Sequence, residues 1–446
     1  MWRRILAAIS ACLIVLGCSV TSLAGDTDTT IESFVEDFCA NTRCNSVSVA
    51  VVNGDTVSFY GDSDGLYQIG SMTKAFTGLA VQKLINEGRL NEDDLVSDLI
   101  PGFIACYESD PVDISVLHLL NQTSGYTNSE SDYPSAEDGM TLMQWAMTIS
   151  GKELNSYPGS EYAYSNVNYN LLGLIIEQVT GMPYAEYMNE EILNPLDLTN
   201  TYVGMPKAED AIVTGSRVGY RNSFEYEIPV VEGRIPAGYF YSNARDCARW
   251  ISIWNGTADI PDEYKELIVT VKEHLEERGD YYSGWELFED GVMGHSGGTP
   301  NYSSRIVFDD STGKGVCVLA NLNVAASTDG LCNRIFNIIS GKEFQDITTD
   351  VWTVFDIIFT IVSGAGILMT LLALLMKKSL PVIISGIASL LLIVSLCIVL
   401  PIVFGAGLAG ILLTWAPYSL AGSMLILVIH EIVAVIKLRK MRLNEN

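Results

Sequence analysis

The chain has 446 residues, 48% of them apolar and 18% charged, with 26 basic side chains against 53 acidic ones. That length predicts two or three structural units, and the apolar share excludes an intrinsically disordered chain. Eighteen basic and fifty acidic residues lie between positions 25 and 350, a net charge of −32; such a surface repels phosphate backbones and excludes nucleic acid as a partner.

Trp2, Arg3 and Arg4 make a charged start, residues 5–16 an apolar run, and Ser22, Leu23 and Ala24 a site of the kind signal peptidase cleaves. Residues 1–24 therefore read as a signal peptide. Val15-Leu16-Gly17-Cys18 also loosely fits a lipoprotein box, so lipidation of Cys18 stays open as the alternative. Six of the nine cysteines fall in residues 25–350, an even number that permits disulfides in an oxidising compartment. Cys39 and Cys44 are the best-spaced local pair, and six buried thiols is the other reading.

Residues 46–52 and 56–60 read as strands joined at Asn53-Gly54, a hairpin signal. Residues 71–87 follow as a helix that is apolar all round, hence buried, and Gly88 stops it. The middle of the domain reads as helices and polar loops. A second hairpin, residues 303–308 and 315–320, turns around 309–314. The fold class expected for residues 25–350 is α+β: an antiparallel sheet built from both ends of the domain, flanked by helices, with a mainly helical insert.

Beyond it, residues 351–446 read as an all-α transmembrane region. Residues 357–376 are twenty uncharged positions, enough to cross ~30 Å of hydrocarbon. After Lys377-Lys378, no charged residue occurs from 379 to 429, room for two more spans joined near Trp415, Pro417 and Tyr418. Three spans put Lys377-Lys378 and the closing cluster Lys437, Arg439, Lys440 and Arg442 on one side, the cytoplasm by the positive-inside rule. Residues 25–350 then lie outside, on the plasma membrane of a bacterium. His430 and Glu431 are expected to snorkel toward the interface.

Three short motifs carry chemistry. In Ser71-Met72-Thr73-Lys74, positions i and i+3 share a helix face, so an amine reaches a hydroxyl at a helix N-terminus. Ser311-Thr312-Gly313-Lys314 has the same spacing but falls in a hairpin turn and reads as chance. Tyr164-Ser165-Asn166 leads into an apolar helix; a phenol beside a lysine ammonium loses its proton more easily, which makes Tyr164 a candidate base. Ser165 or Asn166 also suits a helix N-cap. His295-Ser296-Gly297-Gly298 offers backbone N–H groups for an oxyanion. Residues 294–298 also match G-x-S-x-G, but a strand follows and the only later histidine is His430, so that elbow reading fails. No metal-ligand spacing appears.

In this order, Ser71-x-x-Lys74, Tyr164-x-Asn166 and His295-x-Gly297 resemble the serine β-lactamase/penicillin-binding protein superfamily, and more narrowly its class C β-lactamase-like branch. Residues 68–70, 119–125, 236–238 and 244–246 add to the likeness, which spans roughly 34–339. The resemblance implies that Ser71 is acylated, that Lys74 and Tyr164 transfer protons, and that Asn166, His295 and Gly297 contact substrate. It further implies an oxyanion hole from the N–H groups of Ser71 and Gly298, and no cofactor or metal. His295 stands where class C β-lactamases usually carry lysine, which fits peptidases or esterases of the branch better. A hydrolase followed by three spans is similar in architecture to prodrug-activating D-amino-acid peptidases. The expected function is a membrane-anchored serine hydrolase acting through an acyl-enzyme on small peptides or esters. A slow penicillin-binding or sensor protein, a true β-lactamase, and a small transporter with an attached domain are the alternatives.

Overall fold

The computed structural model describes residues 27–129, 136–207, 211–279, 281–288, 291–343 and 349–445. The expected signal peptide and Cys18 lie outside the described residues.

Both hairpins form. Val47–Asn53 pairs with Thr56–Gly61 around Asn53-Gly54, and Tyr302–Asp309 pairs with Lys314–Ala320. Val47–Asn53 also pairs with Lys314–Ala320, which joins the two ends of the domain in one antiparallel sheet. From one edge to the other the sheet runs Tyr281–Tyr282, Trp285–Leu287, Met293–Thr299, Tyr302–Asp309, Lys314–Ala320, Val47–Asn53, Thr56–Gly61. Such a layout needs helices on both faces, because its central strands are apolar on both sides. Thr27–Thr42 and Ala325–Ile339 cover one face through Phe38, Leu331 and Ile335. On the other face lie Ala244–Trp254, the buried helix Thr73–Asn86 and the helical insert. Phe76 stacks on Trp250 with centroids 4.2 Å apart, which fixes the start of the buried helix against that layer.

The cysteines of this domain are free thiols; Cys44 donates to the Ser46 carbonyl rather than bridging Cys39. The expected Cys39–Cys44 bridge is therefore not formed.

Three helices, Val351–Leu375, Ser379–Phe404 and Tyr418–Leu443, are long and apolar enough to cross a membrane. They pack as one bundle, and Lys437 donates to the Leu374 carbonyl, so the basic ends of the first and third helices sit together. The α+β domain is fastened to the opposite ends. Arg221 N–H donates to Asp356, and Asp350 caps the first helix at Trp352 N while accepting from Ala326 N in the domain. His430 does not snorkel: it is buried between helices, with Thr370 3.3 Å from Nδ1 and Ser385 3.2 Å from Nε2. Those two hydroxyls satisfy its nitrogens inside the bundle, which removes the drive toward water.

Candidate active site

Ser71 lies in the 3₁₀ turn Gly70–Met72 that feeds the buried helix Thr73–Asn86. The turn can form because Gly70 has φ +52°, a left-handed conformation that costs a side chain. Gly70 is also wedged against the third motif: a Cβ there would stand 2.4 Å from Gly298 N, and a Cβ on Gly297 would stand 2.1 Å from the Ile69 carbonyl. Only glycines at 70 and 297 let the Ser71 turn and the strand Met293–Thr299 approach this closely. The approach sets Ser71 and Gly298 together on the wall of the cleft.

Lys74 is fully buried, and Nζ has three neighbours: Ser71 Oγ at 2.9 Å, Asn166 Oδ1 at 2.8 Å and the Ala237 carbonyl at 2.6 Å. Burial pushes its pKa well below the ordinary lysine value, which favours the neutral amine. A neutral amine has two N–H bonds and one lone pair. The Asn166 oxygen and the Ala237 carbonyl can only accept, so they take both N–H bonds. Only Ser71 Oγ–H can donate, so the lone pair is left facing the serine proton. The Ala237 carbonyl is held in turn, because Asn170 Oδ1 accepts from Ala237 N at 3.2 Å and Thr77 donates to the Pro236 carbonyl at 2.8 Å.

Tyr164 is brought in by a scaffold around Gln122, which itself has φ +61°. The Gln122 carbonyl accepts from Ala163 N, and its Oε1 accepts from Ser165 N and Asn168 Nδ2. Ser165 caps the helix Asn166–Thr180 by accepting from Val167 N. Lys74 Nζ lies 4.9 Å from the centre of the Tyr164 ring. Tyr164 Oη is buried and makes no well-formed hydrogen bond among the described residues. Burial raises its pKa, against a smaller opposing pull from the Ser71 hydroxyl. The expected easing of this proton by lysine is opposed by burial. Burial acts on both groups and favours the neutral phenol beside the neutral amine.

His295 and Gly297, expected to touch substrate, do not line the cleft; Gly298 does. The imidazole is buried between the rings of Tyr281 and Tyr164, with centroids 5.7 and 5.9 Å away. Its Nδ1 lies 2.6 Å from the Ser296 carbonyl, which can only accept, so Nδ1 carries the proton and Nε2 faces Tyr281 Oη at 3.2 Å. Burial, with help from Lys74, pushes its pKa down to about 3. His295 is a neutral support for Tyr281 and Tyr164, and it places no cation in the cleft. Ser296 points the other way, donating to Asp329 and accepting from Arg305.

Two cavities meet at Ser71, Asn166, Asn170 and Gly298. One, of about 390 Å³, contains Tyr164; the other, of about 310 Å³, contains Arg234 and Glu227. Trp415, from the segment between the second and third long helices, borders both. The sequence reading gave no role to Ala237, Asn170 or Trp415. Residues 236–238 carried a family signal without a function, and Trp415 was read only as part of the join between two spans.

Residues 30–335 match the family described as Beta-lactamase. The protein flp of Staphylococcus aureus (strain COL) is 37% identical over 278 residues, 58% of this chain and 53% of its own length. The chain thus spans about half the length of the curated relatives it matches. Among solved structures, the octameric penicillin-binding protein homologue from Pyrococcus abyssi superposes with a TM-score of 0.60 at 21% identity, covering 74% of this chain and 81% of that one. The β-lactamase/D-alanine carboxypeptidase from Pseudomonas syringae superposes with a TM-score of 0.60 at 17% identity, covering 71% and 98%.

Proposed function

The chain belongs to the beta-lactamase family, and from that membership we propose that it is a membrane-anchored extracytoplasmic serine hydrolase cleaving amides or esters through an acyl-enzyme on Ser71. The arrangement around Lys74 Nζ carries the reading, since its lone pair faces the one hydroxyl that can donate to it. In the first half-reaction the amine takes the Ser71 proton as Oγ bonds to the substrate carbonyl carbon. The carbonyl oxygen gains charge and turns to the N–H groups of Ser71 and Gly298. The carbon–leaving-atom bond then breaks, and the leaving atom collects a proton passed from Lys74 through the Tyr164 phenol. A water molecule repeats the sequence: it gives a proton to the same pair, adds to the acyl carbon, and returns Ser71 Oγ–H.

The uncharged His295 supports a substrate class of D-aminoacyl or other acyl amides and esters over β-lactams, whose carboxylate favours a fixed cation at that position. The clustering of the basic helix ends away from the hydrolase domain supports an outside location for the domain. Fluorophosphonate labelling of the detergent-solubilised full chain, read by intact mass and peptide mapping, tests the reading. One adduct on Ser71, absent in Ser71→Ala, is expected; an adduct on another serine, or none, refutes it.

A further inference from the structure

The membrane helices do more than hold the hydrolase domain in place; they build part of its cleft. Trp352 at the start of the first long helix, Phe404 at the end of the second, and Ile411 and Trp415 in the π-helical turn Ile411–Trp415 wall the Tyr164 side of the cleft. Trp145 from the hydrolase domain completes that wall. Several polar atoms at its inner end are engaged within the protein: Asn128 Oδ1 accepts from Asn166 N, and Thr127 donates to Asn155 and gives its carbonyl to Ser165. The outer part of the wall, Trp145, Trp352, Phe404, Ile411 and Trp415, is apolar and largely aromatic. The cavity on the far side of Ser71, with Arg234 and Glu227, is polar.

The wall is held rather than loosely draped. Arg217, 3% exposed, donates through Nε, Nη1 and Nη2 to the carbonyls of Ala416, Leu413 and Leu412, the groups left unpaired at the end of the turn. Tyr226 donates to the Leu413 carbonyl as well, and the guanidinium lies over the Tyr418 ring at 4.6 Å. Trp352 and Phe404 stack at 5.0 Å. The start of the first long helix and the segment 404–415 that follows the second are thereby fixed around one apolar space that opens onto the nucleophile.

We infer that Trp352, Phe404, Ile411 and Trp415 form a subsite for an alkyl or aryl group borne by the substrate on one side of the scissile bond, so that the membrane region supplies specificity-determining residues. This rests on the serine-hydrolase reading of Ser71. The substrate class is amphiphilic: apolar on the Tyr164 side, polar on the Arg234 side.

The test uses full-length protein with two series of short esters below their micelle concentrations, one lengthened from two to eight carbons in the acyl part, the other in the alcohol part. In one series kcat/KM should rise roughly threefold per methylene, as expected for partial burial of each group. Trp415→Ala should flatten that series. Phe404→Ala leaves the Arg217 contacts in place and should flatten it too, so the result does not depend on one variant folding. Leu425→Ala, on the exposed outer face of the bundle, should keep the slope. Substituting phenyl for hexyl tells an aryl preference from an alkyl one. Chain-length independence in both series, or a slope that survives both Trp415→Ala and Phe404→Ala, overturns the subsite. Fluorophosphonate labelling runs in parallel: labelled Ser71 with flat series sinks only the subsite, whereas unlabelled Ser71 sinks the hydrolase reading itself.

Discussion

Ser71-Met72-Thr73-Lys74 and Ser311-Thr312-Gly313-Lys314 have one spacing and opposite surroundings. The first opens a buried helix, and its lysine is sealed from water with Ser71, Asn166 and Ala237 as its hydrogen-bond partners. The second is a turn between two strands. There Ser311 Oγ donates to Asp309 at 2.6 Å and Lys314 Nζ donates to the Ile339 carbonyl at 2.7 Å, so hydroxyl and amine turn away from each other. A serine and an amine three residues apart are therefore not yet a catalytic pair. Enclosure makes the difference: it favours the neutral amine, whose lone pair then has one partner.

The two tetrads can be set against each other by mutation. Ser71→Ala should abolish covalent labelling and turnover with the fold retained, as read by intact mass and circular dichroism. Lys74→Ala and Tyr164→Phe should each lower the acylation rate by about 10³-fold or more, and the double variant should be little worse, because the two residues relay one proton. Stopped-flow acylation that shows multiplicative losses would separate them into independent actors. Gly70→Ala places a Cβ at φ +52° and 2.4 Å from Gly298 N. It should cost about 10²-fold in kcat by spreading the two oxyanion donors, with a smaller effect on KM.

The pH dependence should follow from enclosure too. Acylation needs the neutral amine, and burial lowers the Lys74 pKa, so the rate should climb as pH rises through that lowered value and then level off. An acylation rate that falls over that climb would mean the ammonium is the active form. His295 titrates near 6.5 when unfolded and near 3 when folded. Between those values the unfolded chain holds the extra proton, so the stability contribution is complete above pH 6.5 and is lost as pH falls toward 3. His295→Gln can still donate to the Ser296 carbonyl and should flatten the melting temperature over that window relative to wild type. The smallest effect belongs to the second tetrad: Ser311→Ala and Lys314→Ala should leave kcat/KM within about twofold, and a large loss would mean that the turn, not the buried helix, holds the chemistry.

Much of the framework was legible in the sequence because local signals agree with the global fold. Asn53-Gly54 gave the first hairpin, the all-round apolar helix gave the burial of Lys74, and uninterrupted apolar runs gave the three long helices. What stayed hidden depends on contacts between distant segments. Nothing near Ala237 says that its carbonyl completes the shell of Lys74, 163 positions away. Tyr164 was read from the charge of its neighbour, whereas the burial that raises its pKa, and lowers that of Lys74, has no local signal. His295 was read from its place in a motif, although the strand turns its ring away from the cleft. Trp352, Phe404 and Trp415 look like any aromatic residues at the ends of apolar runs, and only the docking of the helices on the domain distinguishes them. His430 was read from its position near a helix end, whereas the hydroxyls of Thr370 and Ser385 on neighbouring helices decide its place.

Asp350 is one side chain with two attachments: it caps the first long helix at Trp352 and accepts from Ala326 of the domain, while its own N–H donates to Ser327 Oγ. Domain and helix share that residue, so at this junction there is no slack over which the reactive serine can rise or sink. Under the proposed anchoring, a serine held at one height above a bilayer would meet molecules dissolved in that bilayer by lateral diffusion, and its turnover would follow their mole fraction in the lipid rather than their concentration in the surrounding water. Diluting a lipid-borne substrate with inert lipid would then slow the reaction, while diluting the vesicles with buffer would not.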